Sequence, residues 1–456
     1  MRPMKRRPTL RSILSAGEQL STAGHWIEAP LSCAQLSLWR VGSQSWSSPI
    51  VNLPAALSIR GTLSMSAIRR SLEAVLARHE VLRTTFHITQ TTVVQRIHAF
   101  HVAPLRYLSL MTNPNDERFK GLLRDEIERP FELASEFPLR CTVVRLSPDH
   151  HVFIVVFHHL ATDGWSAGLF MRELVTAYAD VREMRTVSSQ PSARQYRDHV
   201  ADEERFLNSA TAHRQMAYWR DVLSPSSEPL RWQKGGAQTA EYNMATIAIP
   251  SPLQRALDER ARTAGVTVFI AMVAALKRTI HLSTGATDIR VATLVSGREN
   301  SADRNVMGLF ANTIVLRSKL DGCSKPDEVL ERVRSVIVSA FGNQTLPFEI
   351  VLQQMSRNAE LSGSKPFEVL FVHQAFAAEP IAIAGLEITP LDLPPSGGLA
   401  GGRGIGLVIV CEQKNQELAF TFWGRPDFID ADSFHLLPAS LLRAIEDWCA
   451  PRPGPR

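Results

Sequence analysis

The sequence predicts a mixed α/β fold arranged as two lobes, and three observations support this prediction. The chain has 456 residues, which is longer than one hydrophobic core usually supports. Residues 152–157, VFIVVF, form a continuous apolar run that is typical of a strand buried on both faces. Residues 64–79 have the spacing of an amphipathic helix, with Ile68, Leu72 and Val75 on one face. Segments of these two kinds alternate along the chain, which is the pattern of an α/β protein.

Apolar spacing, with turn residues between the periodic segments, predicts the elements of the first half. Helices are expected over 31–40, 64–79, 116–128 and 165–180, with one or two more over 193–220. Strands are expected over 52–60, from 82–86 into 92–97, over 140–146 and over 151–157. Ser147, Pro148 and Asp149 have a turn composition, so the last two strands should pair as a hairpin.

The second half repeats this alternation. Helices are expected over 267–280, 324–344 and 432–448, and strands over 289–295, 312–317, 367–374 and 405–411. A polar loop covers 296–303, and a loop rich in glycine and proline covers 390–406. We place the boundary near residue 205, which divides the chain into an N-terminal lobe, 1–205, and a C-terminal lobe, 206–456.

Composition argues against several classes of function. The net charge is +5, with basic residues clustered between Arg2 and Arg11, but no zinc spacing, RNA-binding signature or base-stacking cluster indicates nucleic-acid binding. The N-terminus lacks the apolar core of a signal peptide, and no stretch approaches a membrane span, which predicts a cytoplasmic protein. The five cysteines are scattered without a CxxC pair, so neither a metal site nor a disulfide framework is expected.

The candidate site lies where the apolar strand ends. His158 and His159 follow the strand, Asp163-Gly164 forms a turn signal, and an amphipathic helix begins at Trp165. A histidine at this position can accept a proton from an attacking amine or hydroxyl. The N–H groups at the start of the helix can stabilise developing negative charge. The alternative is a histidine that only supports the strand end through its hydrogen bonds. These residues alone do not decide between a catalytic and a structural histidine, and other segments of the chain bear on the choice.

Seven segments in order resemble the motifs of the condensation domains of nonribosomal peptide synthetases. They are LSCAQLSLW (31–39), RHEVLRTTF (78–86), FHHLATDGWS (157–166), YRDH (196–199), VMGLFANTIVLR (306–317), NQTLPFE (343–349) and SRNAEL (356–361). The fourth matches in part and the seventh is degraded. Order and spacing agree from about residue 28 to residue 445, and the flanking motifs distinguish this family from other acyltransferases that share HxxxDG.

The resemblance implies an architecture for the chain. Each lobe is expected to be similar to chloramphenicol acetyltransferase, and the lobes form a V-shaped pseudodimer with an active-site tunnel between them. His158 and His159 would lie in the middle of the tunnel, and residues 297–312 would form a floor beneath them. The glycine-rich stretch 390–406 would lie near the crossing segment called the latch.

The resemblance also implies roles for individual residues. His159 is expected to be the catalytic residue, as base or as positioner, and His158 to be structural. Asp163 is expected to pair with an arginine from the other lobe, Arg298 being the first candidate and Arg83 the alternative. Gly164 would allow close approach of a pantetheine arm and offer its N–H to the thioester oxygen. The substrate channel would be lined by Ser296, Asn312, Asn343 and Trp165, with plain core or loop positions as the alternative for these residues.

The implied reaction forms an amide, or an ester, between a carrier-tethered acyl or aminoacyl group and an amine or hydroxyl acceptor. The protein would bind no cofactor itself, because a partner peptidyl or acyl carrier protein delivers the phosphopantetheine arm. It would act as a monomer on a small-molecule or carrier-bound acceptor, without nucleic acid or membrane, as a stand-alone enzyme or an excised domain. FHHLATDGWS fits neither an epimerising nor a heterocyclising relative. A coenzyme-A-dependent acyltransferase and a non-catalytic recruitment module remain as alternatives.

Overall fold

A computed structural model describes most of the chain, and its contacts divide the chain into two compact units. The described residues are 26–42, 51–99, 103–224, 228–232, 242–323, 325–357, 365–374, 381–383, 385–393, 405–414 and 417–450. The first unit consists of Met1–Arg205, Arg298–Phe310 and Ala378–Ser396, and the second of Phe206–Gly297, Ala311–Ala377 and Gly397–Arg456. From the sequence we placed a boundary near residue 205. In the structure the first unit also takes in two later segments, so neither unit is a single stretch of chain.

The first unit contains two sheets and five α-helices among its described residues. Its strands are β1 (Trp26–Pro30), β2 (Asn52–Gly61), β3 (Thr84–Ile88), β4 (Val93–His98), β5 (Leu105–Ser109), β6 (Leu139–Ser147), β7 (His150–His158), β12 (Ile381–Ile383) and β13 (Leu386–Pro390). Its helices are α1 (Cys33–Gly42), α2 (Met65–Arg78), α3 (Glu117–Glu128), α4 (Gly164–Arg182) and α5 (Tyr196–Leu207).

Strand β7 lies in the middle of the larger sheet, and all nine of its residues are buried. The sheet has the order β12-β13-β2-β7-β6-β5, and β7 pairs antiparallel with both neighbours. The apolar run therefore forms the central strand that the sequence predicts, and the hairpin with β6 is confirmed. β13 pairs with β2 from Leu386↔Gly61 onward, which explains why this late segment belongs to the first unit.

The second unit contains one six-stranded sheet and six helices among its described residues. The sheet order is β10-β9-β11-β14-β15-β8, with strands β8 (Asn243–Ala248), β9 (Asp288–Val295), β10 (Asn312–Lys319), β11 (Val369–Gln374), β14 (Leu407–Lys414) and β15 (Glu417–Gly424). The helices are α6 (Ala210–Leu223), α7 (Ser251–Thr263), α8 (Val268–Thr284), α9 (Pro326–Phe341), α10 (Phe348–Arg357) and α11 (Ala431–Cys449). β11 is parallel to β9 and β14, while the other pairs are antiparallel.

Local chemistry explains where several helices begin. The Ser64, Asp116, Asp163, Ser209, Thr267 and Asp430 side chains each accept a hydrogen bond from a backbone N–H in the first turn of the helix that follows. α8 ends at Gly285, whose φ of 71° is a conformation that glycine adopts without strain. Caps of this kind satisfy N–H groups that the helix itself leaves without partners.

The predicted elements that lie in described residues are confirmed, with bounds that shift by a few residues, and the mixed α/β fold is confirmed with them. The sequence reading missed α7, α10 and six strands, namely β1, β5, β8, β12, β13 and β15. β1 and β8 have mostly exposed or half-exposed residues, so they lack the buried apolar run of a central strand. Most of the predicted loop over 390–406, with its latch role, and the tail after Ala450 lie outside the described residues.

A helix that crosses a membrane must be both long and apolar. No single helix within the described ranges combines that length with that composition. Only α7 and α8 taken together meet that test of length and composition, and a bend of 107° separates them.

The core of the second unit buries a lysine. Lys277 on α8 is fully buried, and its Nζ donates to the carbonyl oxygens of Ile289 and Leu316 and to Ser318 Oγ, at 3.3, 2.5 and 2.7 Å. Burial lowers the pKa of this ammonium from 10.5 to about 7, because the charged form loses its hydration. The unfolded chain therefore holds one more proton than the folded chain between about pH 7 and about pH 10.

We expect Lys277→Met to remove a pH dependence of stability. The free energy of unfolding of the unaltered protein, relative to that of the variant, should rise by at most about 1.4 kcal/mol per pH unit between about pH 7 and about pH 10. Urea unfolding at intervals of one pH unit measures the difference. Lys120→Met removes an exposed lysine and serves as the control without such a slope. Parallel curves for the unaltered protein and Lys277→Met would show that Lys277 titrates alike in both states.

Candidate functional site

The turn that follows β7, residues 158–163, is held by its own backbone and by one imidazole. The Ala161 N–H donates to the His158 carbonyl at 3.0 Å, and the Leu160 N–H donates to His158 Nδ1 at 3.1 Å. Leu160, Ala161 and Thr162 are almost completely buried. We call residues 158–163 the histidine turn. The hydrogen bonds of Leu160 and Ala161 to His158 hold its backbone in place.

His158 is part of the core. Its side chain is 1% exposed and lies edge-on to the Phe131 ring, with the centroids 5.6 Å apart. Burial, together with the nearby His159 and Arg140, lowers its pKa to about 3. The imidazole is therefore neutral at ordinary pH, and its Nδ1 is an acceptor because the Leu160 N–H donates to it.

His159 has a different environment from its neighbour. Its side chain is half-buried, and Nδ1 lies 2.8 Å from the Thr162 carbonyl oxygen. A carbonyl oxygen only accepts, so Nδ1 carries the hydrogen, and in the neutral ring the lone pair is on Nε2. This arrangement fixes the tautomer through the other nitrogen, as in residues that act as bases.

Asp163 and Gly164 begin helix α4. Asp163 caps the helix, because its Oδ1 accepts from the Ser166 N–H at 2.8 Å. Gly164 is exposed, and a Cβ built at this position would meet no atom within 4 Å. There is therefore open space beside the first turn of α4. The approach of a ligand to this backbone, which the resemblance implies, stays a prediction.

The Asp163 carboxylate is buried and receives hydrogen bonds from a returning segment of the chain. Arg298 Nη1 donates to Oδ2 at 2.8 Å and Nη2 to Oδ1 at 3.2 Å, a bidentate pair with both side chains at least 95% buried. The Phe310 N–H donates to Oδ2 at 3.0 Å. With the Ser166 N–H, four donors surround the carboxylate. Contacts place Arg298 in the same unit as Asp163, so the expected arginine does not come from the other unit.

Ser166 links the helix to the same segment. Its Oγ donates to the Gly308 carbonyl at 2.9 Å and accepts from the Gly308 N–H at 3.0 Å and from Arg298 Nη2 at 2.7 Å. The hydroxyl thus uses its one donor and both acceptor positions. The Arg298 guanidinium also lies 4.1 Å from the centroid of the Phe310 ring. The segment Arg298–Phe310 is therefore bound to the start of α4 through hydrogen bonds between buried polar groups.

Tyr196, from the fourth sequence motif, is packed against the fifth. Its Oη donates to the Leu309 carbonyl at 2.6 Å and lies 2.8 Å from Ser32 Oγ. A Cβ at position 308 would overlap the Tyr196 ring, so only glycine fits there. Three motifs that are far apart in sequence, around 32, 196 and 308, therefore meet in the first unit.

Two further candidates lie in the first unit. Trp165 is half-buried, and its Nε1 donates to the Arg304 carbonyl at 2.9 Å. Arg83 is half-buried, and its Nη1 donates to the His98 carbonyl, while Arg298 is the arginine that pairs with Asp163. The alternative pairing of Asp163 with Arg83 is therefore not the one that the structure contains.

The other channel candidates lie in the second unit. Ser296 is exposed and directly follows β9. The Asn312 amide donates to the carbonyls of Gln344 and Leu346 at 2.7 and 2.9 Å, and its Oδ1 accepts from the N–H groups of Thr313 and Phe348. These four bonds use the donors and acceptors of the amide to hold the loop before α10.

Asn343 begins that loop. Its Nδ2 donates to the Ser339 carbonyl at 2.9 Å, and its own carbonyl accepts from Trp219 Nε1 at 2.9 Å. In the structure both asparagines hold backbone, and a channel role for them stays a prediction. Trp219 is buried.

The sequence reading did not single out Ser166, Tyr196, Gly308 or Phe310 as site residues. Each lies inside a segment that it did match to a motif, so the signal was present at the level of segments. Hydrogen bonds to backbone atoms, such as the Phe310 N–H and the Leu309 carbonyl, leave no mark on residue type. Among the residues that the structure describes, no three His, Cys, Asp or Glu side chains form a group suited to a metal ion.

This arrangement is suited to acid–base chemistry on an acyl group. A neutral histidine with its lone pair on Nε2 can accept a proton from a nucleophile. An exposed helix start offers N–H groups to a developing oxyanion. A buried ion pair holds the helix start in place on one side of the histidine turn.

Comparison with known proteins agrees with the motifs. A family model described as the condensation domain matches residues 27–387. Linear gramicidin synthase subunits C and B of Brevibacillus parabrevis are 32% identical over 372 residues and 33% identical over 376 residues. Each alignment covers 80% of this chain but only 5% and 7% of the respective relative, so the chain corresponds to a small part of those synthases.

Solved structures show the same fold. The crystal structure of the X-domain from teicoplanin biosynthesis matches with a TM-score of 0.78 at 24% identity, over 94% of this chain and 97% of that one. The first condensation domain of the calcium-dependent antibiotic synthetase, in complex with a substrate analogue, matches with a TM-score of 0.77 at 19% identity. That alignment covers 93% of this chain and 96% of the other.

The buried pair predicts a strong energetic coupling between Asp163 and Arg298. Asp163→Asn and Arg298→Met should each lower the free energy of unfolding by about 3–5 kcal/mol, because each leaves a buried partner without its counter-charge. The double variant should cost clearly less than the sum of the two single costs. Chemical unfolding of the four proteins measures the cycle. Additive costs would mean that the pair contributes no coupling, and unchanged stability with lost turnover would indicate an acid role for Asp163.

The close contact between Gly308 and the Tyr196 ring predicts that adding a methyl group at position 308 destabilises the protein. Gly308→Ala should lower the free energy of unfolding by about 1–3 kcal/mol, since the added Cβ must displace a buried ring. Gly168→Ala is the matched control, because a Cβ on that turn of α4 would meet no atom within 4 Å. It should leave stability unchanged or raise it by about 0.5–1 kcal/mol. Equal effects of the two substitutions would rule out the steric explanation.

Proposed function

The chain belongs to the condensation-domain family, and from this premise we propose that it joins a carrier-tethered acyl group to an amine. The donor is an acyl or aminoacyl thioester on the phosphopantetheine arm of a partner carrier protein. The acceptor is an amine, free or carrier-bound, and a hydroxyl acceptor would give the corresponding ester. The geometry of His159, whose Nδ1–H is committed to the Thr162 carbonyl, is the observation that carries the proposal.

The reaction assigns a proton path to His159. The amine nitrogen attacks the thioester carbonyl carbon, and Nε2 accepts the proton that the nitrogen loses as the new C–N bond forms. The C–S bond then breaks, and the proton returns from Nε2 to the departing sulfur. The amide and the free pantetheine thiol are the products, so atoms and charge balance without a further reactant.

The start of α4 has the second role. While the carbonyl carbon is tetrahedral, its oxygen carries negative charge that N–H donors and the helix dipole stabilise. Gly164 has the exposure and the open space that such an approach requires. Asp163 does not react in this proposal, since its carboxylate is saturated by four donors. It holds the helix start, and the N–H of Gly164, at a fixed place relative to His159.

The donor distinguishes this proposal from its nearest alternatives. A coenzyme-A-dependent acyltransferase would use the same histidine but would turn over acyl-coenzyme A as well as or better than an acyl carrier protein. A recruitment module would bind a partner and release no amide with either donor. Intact-protein mass spectrometry of acyl-loaded carrier proteins, with an amine acceptor and with acyl-coenzyme A in parallel, separates the three outcomes.

His159→Ala should lower amide formation by about 10²–10⁴-fold, the usual contribution of a general base. Fold and carrier binding should be retained, because the side chain is only half-buried. The measurement is the rate of product formation, corrected for thioester hydrolysis. Activity within about threefold of the unaltered protein would sink the catalytic assignment.

His158→Ala is the matched control on the adjacent residue. His158 is in the core and its Nδ1 accepts the Leu160 N–H, so its loss should lower the melting temperature more than the rate of the folded fraction. A rate loss in His158→Ala as large as that in His159→Ala, without a change in stability, would reverse the two assignments.

A further inference from the structure

A buried glutamine from the first motif contacts the histidine turn. Gln35, on the first turn of α1, is fully buried, and its Nε2 donates to the Leu160 carbonyl at 2.8 Å and to Gln95 Oε1 at 3.3 Å. Its Oε1 accepts from the Ser32 N–H at 3.0 Å, while the Gln35 N–H donates to Ser32 Oγ. The side chain is therefore held at its own helix start and reaches across to the turn.

Together with His158, Gln35 fixes the peptide groups on either side of Leu160. The Leu160 N–H is bound by His158 Nδ1, and the Leu160 carbonyl is bound by Gln35 Nε2. The residue before this pair of peptide groups is His159, and the Thr162 carbonyl that accepts from its Nδ1 lies two residues beyond Leu160. A rotation of the peptide group after Leu160 would therefore move the group that orients the imidazole.

We propose that Gln35 is a positioning residue that keeps His159 in its base-competent orientation through the Leu160 carbonyl. The inference rests on the proposed function of His159, and it extends the active-site machinery to a side chain on α1 that touches neither substrate nor the imidazole. The contact has a donor role that no apolar residue of similar size can replace. A buried carbonyl that loses its donor is left without a hydrogen bond and without water, which favours a rearranged turn.

Gln35→Glu tests the donor with almost no change of shape. The new carboxyl can still accept from the Ser32 N–H, but when ionised it presents an oxygen to the Leu160 carbonyl and to Gln95 Oε1, which repel it. When protonated, it donates to the Leu160 carbonyl as the amide does. Burial next to these oxygens raises the pKa of such a carboxyl into the neutral range. The defect should therefore appear at high pH and disappear at low pH.

The other titratable groups of this region do not obscure the expected pH dependence of Gln35→Glu. Those on elements around Gln35 are Arg40 on α1, Arg96 and His98 on β4, His158 and His159 on the turn, Asp163 beyond it, and Tyr196 and Glu203 on α5. His158 has a pKa of about 3 and stays neutral throughout. Burial raises the pKa of Tyr196 well above its usual value, so it stays protonated. All of these groups are shared by both proteins, so the ratio of their rates removes the common contribution.

We expect the unaltered protein to form amide about 10–100-fold faster than Gln35→Glu at about pH 8.5, the cost of a small misplacement of a catalytic group. The ratio should fall to within about threefold at about pH 6, as the carboxyl gains its proton. The loss should appear in kcat more than in KM, because Gln35 does not touch substrate. A ratio that stays constant with pH would overturn the proposal.

Gln195→Glu is the matched control in the same unit. Gln195 is also buried, its Oε1 accepts from the Glu80 N–H, and its Nε2 donates to the carbonyls of Arg78 and Ser192. The substitution has the same chemistry but acts away from the histidine turn. It should lower stability while the pH profile of its rate follows that of the unaltered protein. A pH-dependent ratio of the same size in this control would mean that any buried glutamate produces the effect, which would also overturn the proposal.

A second readout does not depend on turnover. In ¹⁵N spectra of the histidine side chains, the unaltered protein should show His159 with its hydrogen on Nδ1. Gln35→Glu should differ from the unaltered protein in this spectrum at about pH 8.5 and match it at about pH 6, as the carboxyl gains its proton. If the unaltered protein makes no amide from any carrier, the proposed function fails, and these spectra still decide the positioning role. An unchanged His159 spectrum in Gln35→Glu at both pH values would end it.

Discussion

A buried carboxylate at position 163 requires hydrogen-bond donors, and the way that requirement is met organises the first unit. Removing a carboxylate from water is costly unless charge and hydrogen bonds replace its hydration. Here the guanidinium of Arg298, the Ser166 N–H and the Phe310 N–H supply four bonds. Three of these four bonds come from the segment Arg298–Phe310, which belongs to the first unit although residues before and after it belong to the second. The chain must therefore return to this position, and the ion pair determines where the start of α4 lies relative to the histidine turn.

Two adjacent histidines show how environment, and not residue type, determines a role. His158 points into the core, lies edge-on to Phe131 and has a pKa of about 3, so it serves only as an acceptor for the Leu160 N–H. His159, one residue later in the alternating pattern of the strand end, is half-buried and donates from Nδ1 to a carbonyl in its own turn. The first histidine holds the backbone whose geometry orients the second. The two residues therefore act together, because a buried neutral ring supports the backbone that orients a half-buried imidazole.

Some elements and contacts of this structure could be predicted from the sequence and others could not, and the difference has physical reasons. β7 is a continuous apolar run, and α2, α4 and α8 are long helices with many buried apolar residues, so the apolar pattern alone indicates these four elements. Short strands such as β1 and β8 have few buried residues and become strands because a neighbour offers hydrogen bonds, which local composition does not record. The motif resemblance predicted the pairing of Asp163 with Arg298, but it did not predict that Arg298 belongs to the first unit. The unit of Arg298 depends on where the chain returns after residue 297, which local composition does not record. Asn312 resembled a channel residue by position, yet its amide is occupied by the backbone of the loop before α10.

The pH behaviour of the site follows from which of its groups are held in one protonation state. Burial lowers the pKa of His158 to about 3 and that of His199, which packs against Phe310, to about 4. Both rings are neutral at and above about pH 5.5, and burial keeps Tyr196 protonated well beyond its usual range. Neither imidazole nor the Tyr196 hydroxyl therefore changes charge across the neutral range. These three groups support the site without adding a change of charge of their own to its pH dependence over that range.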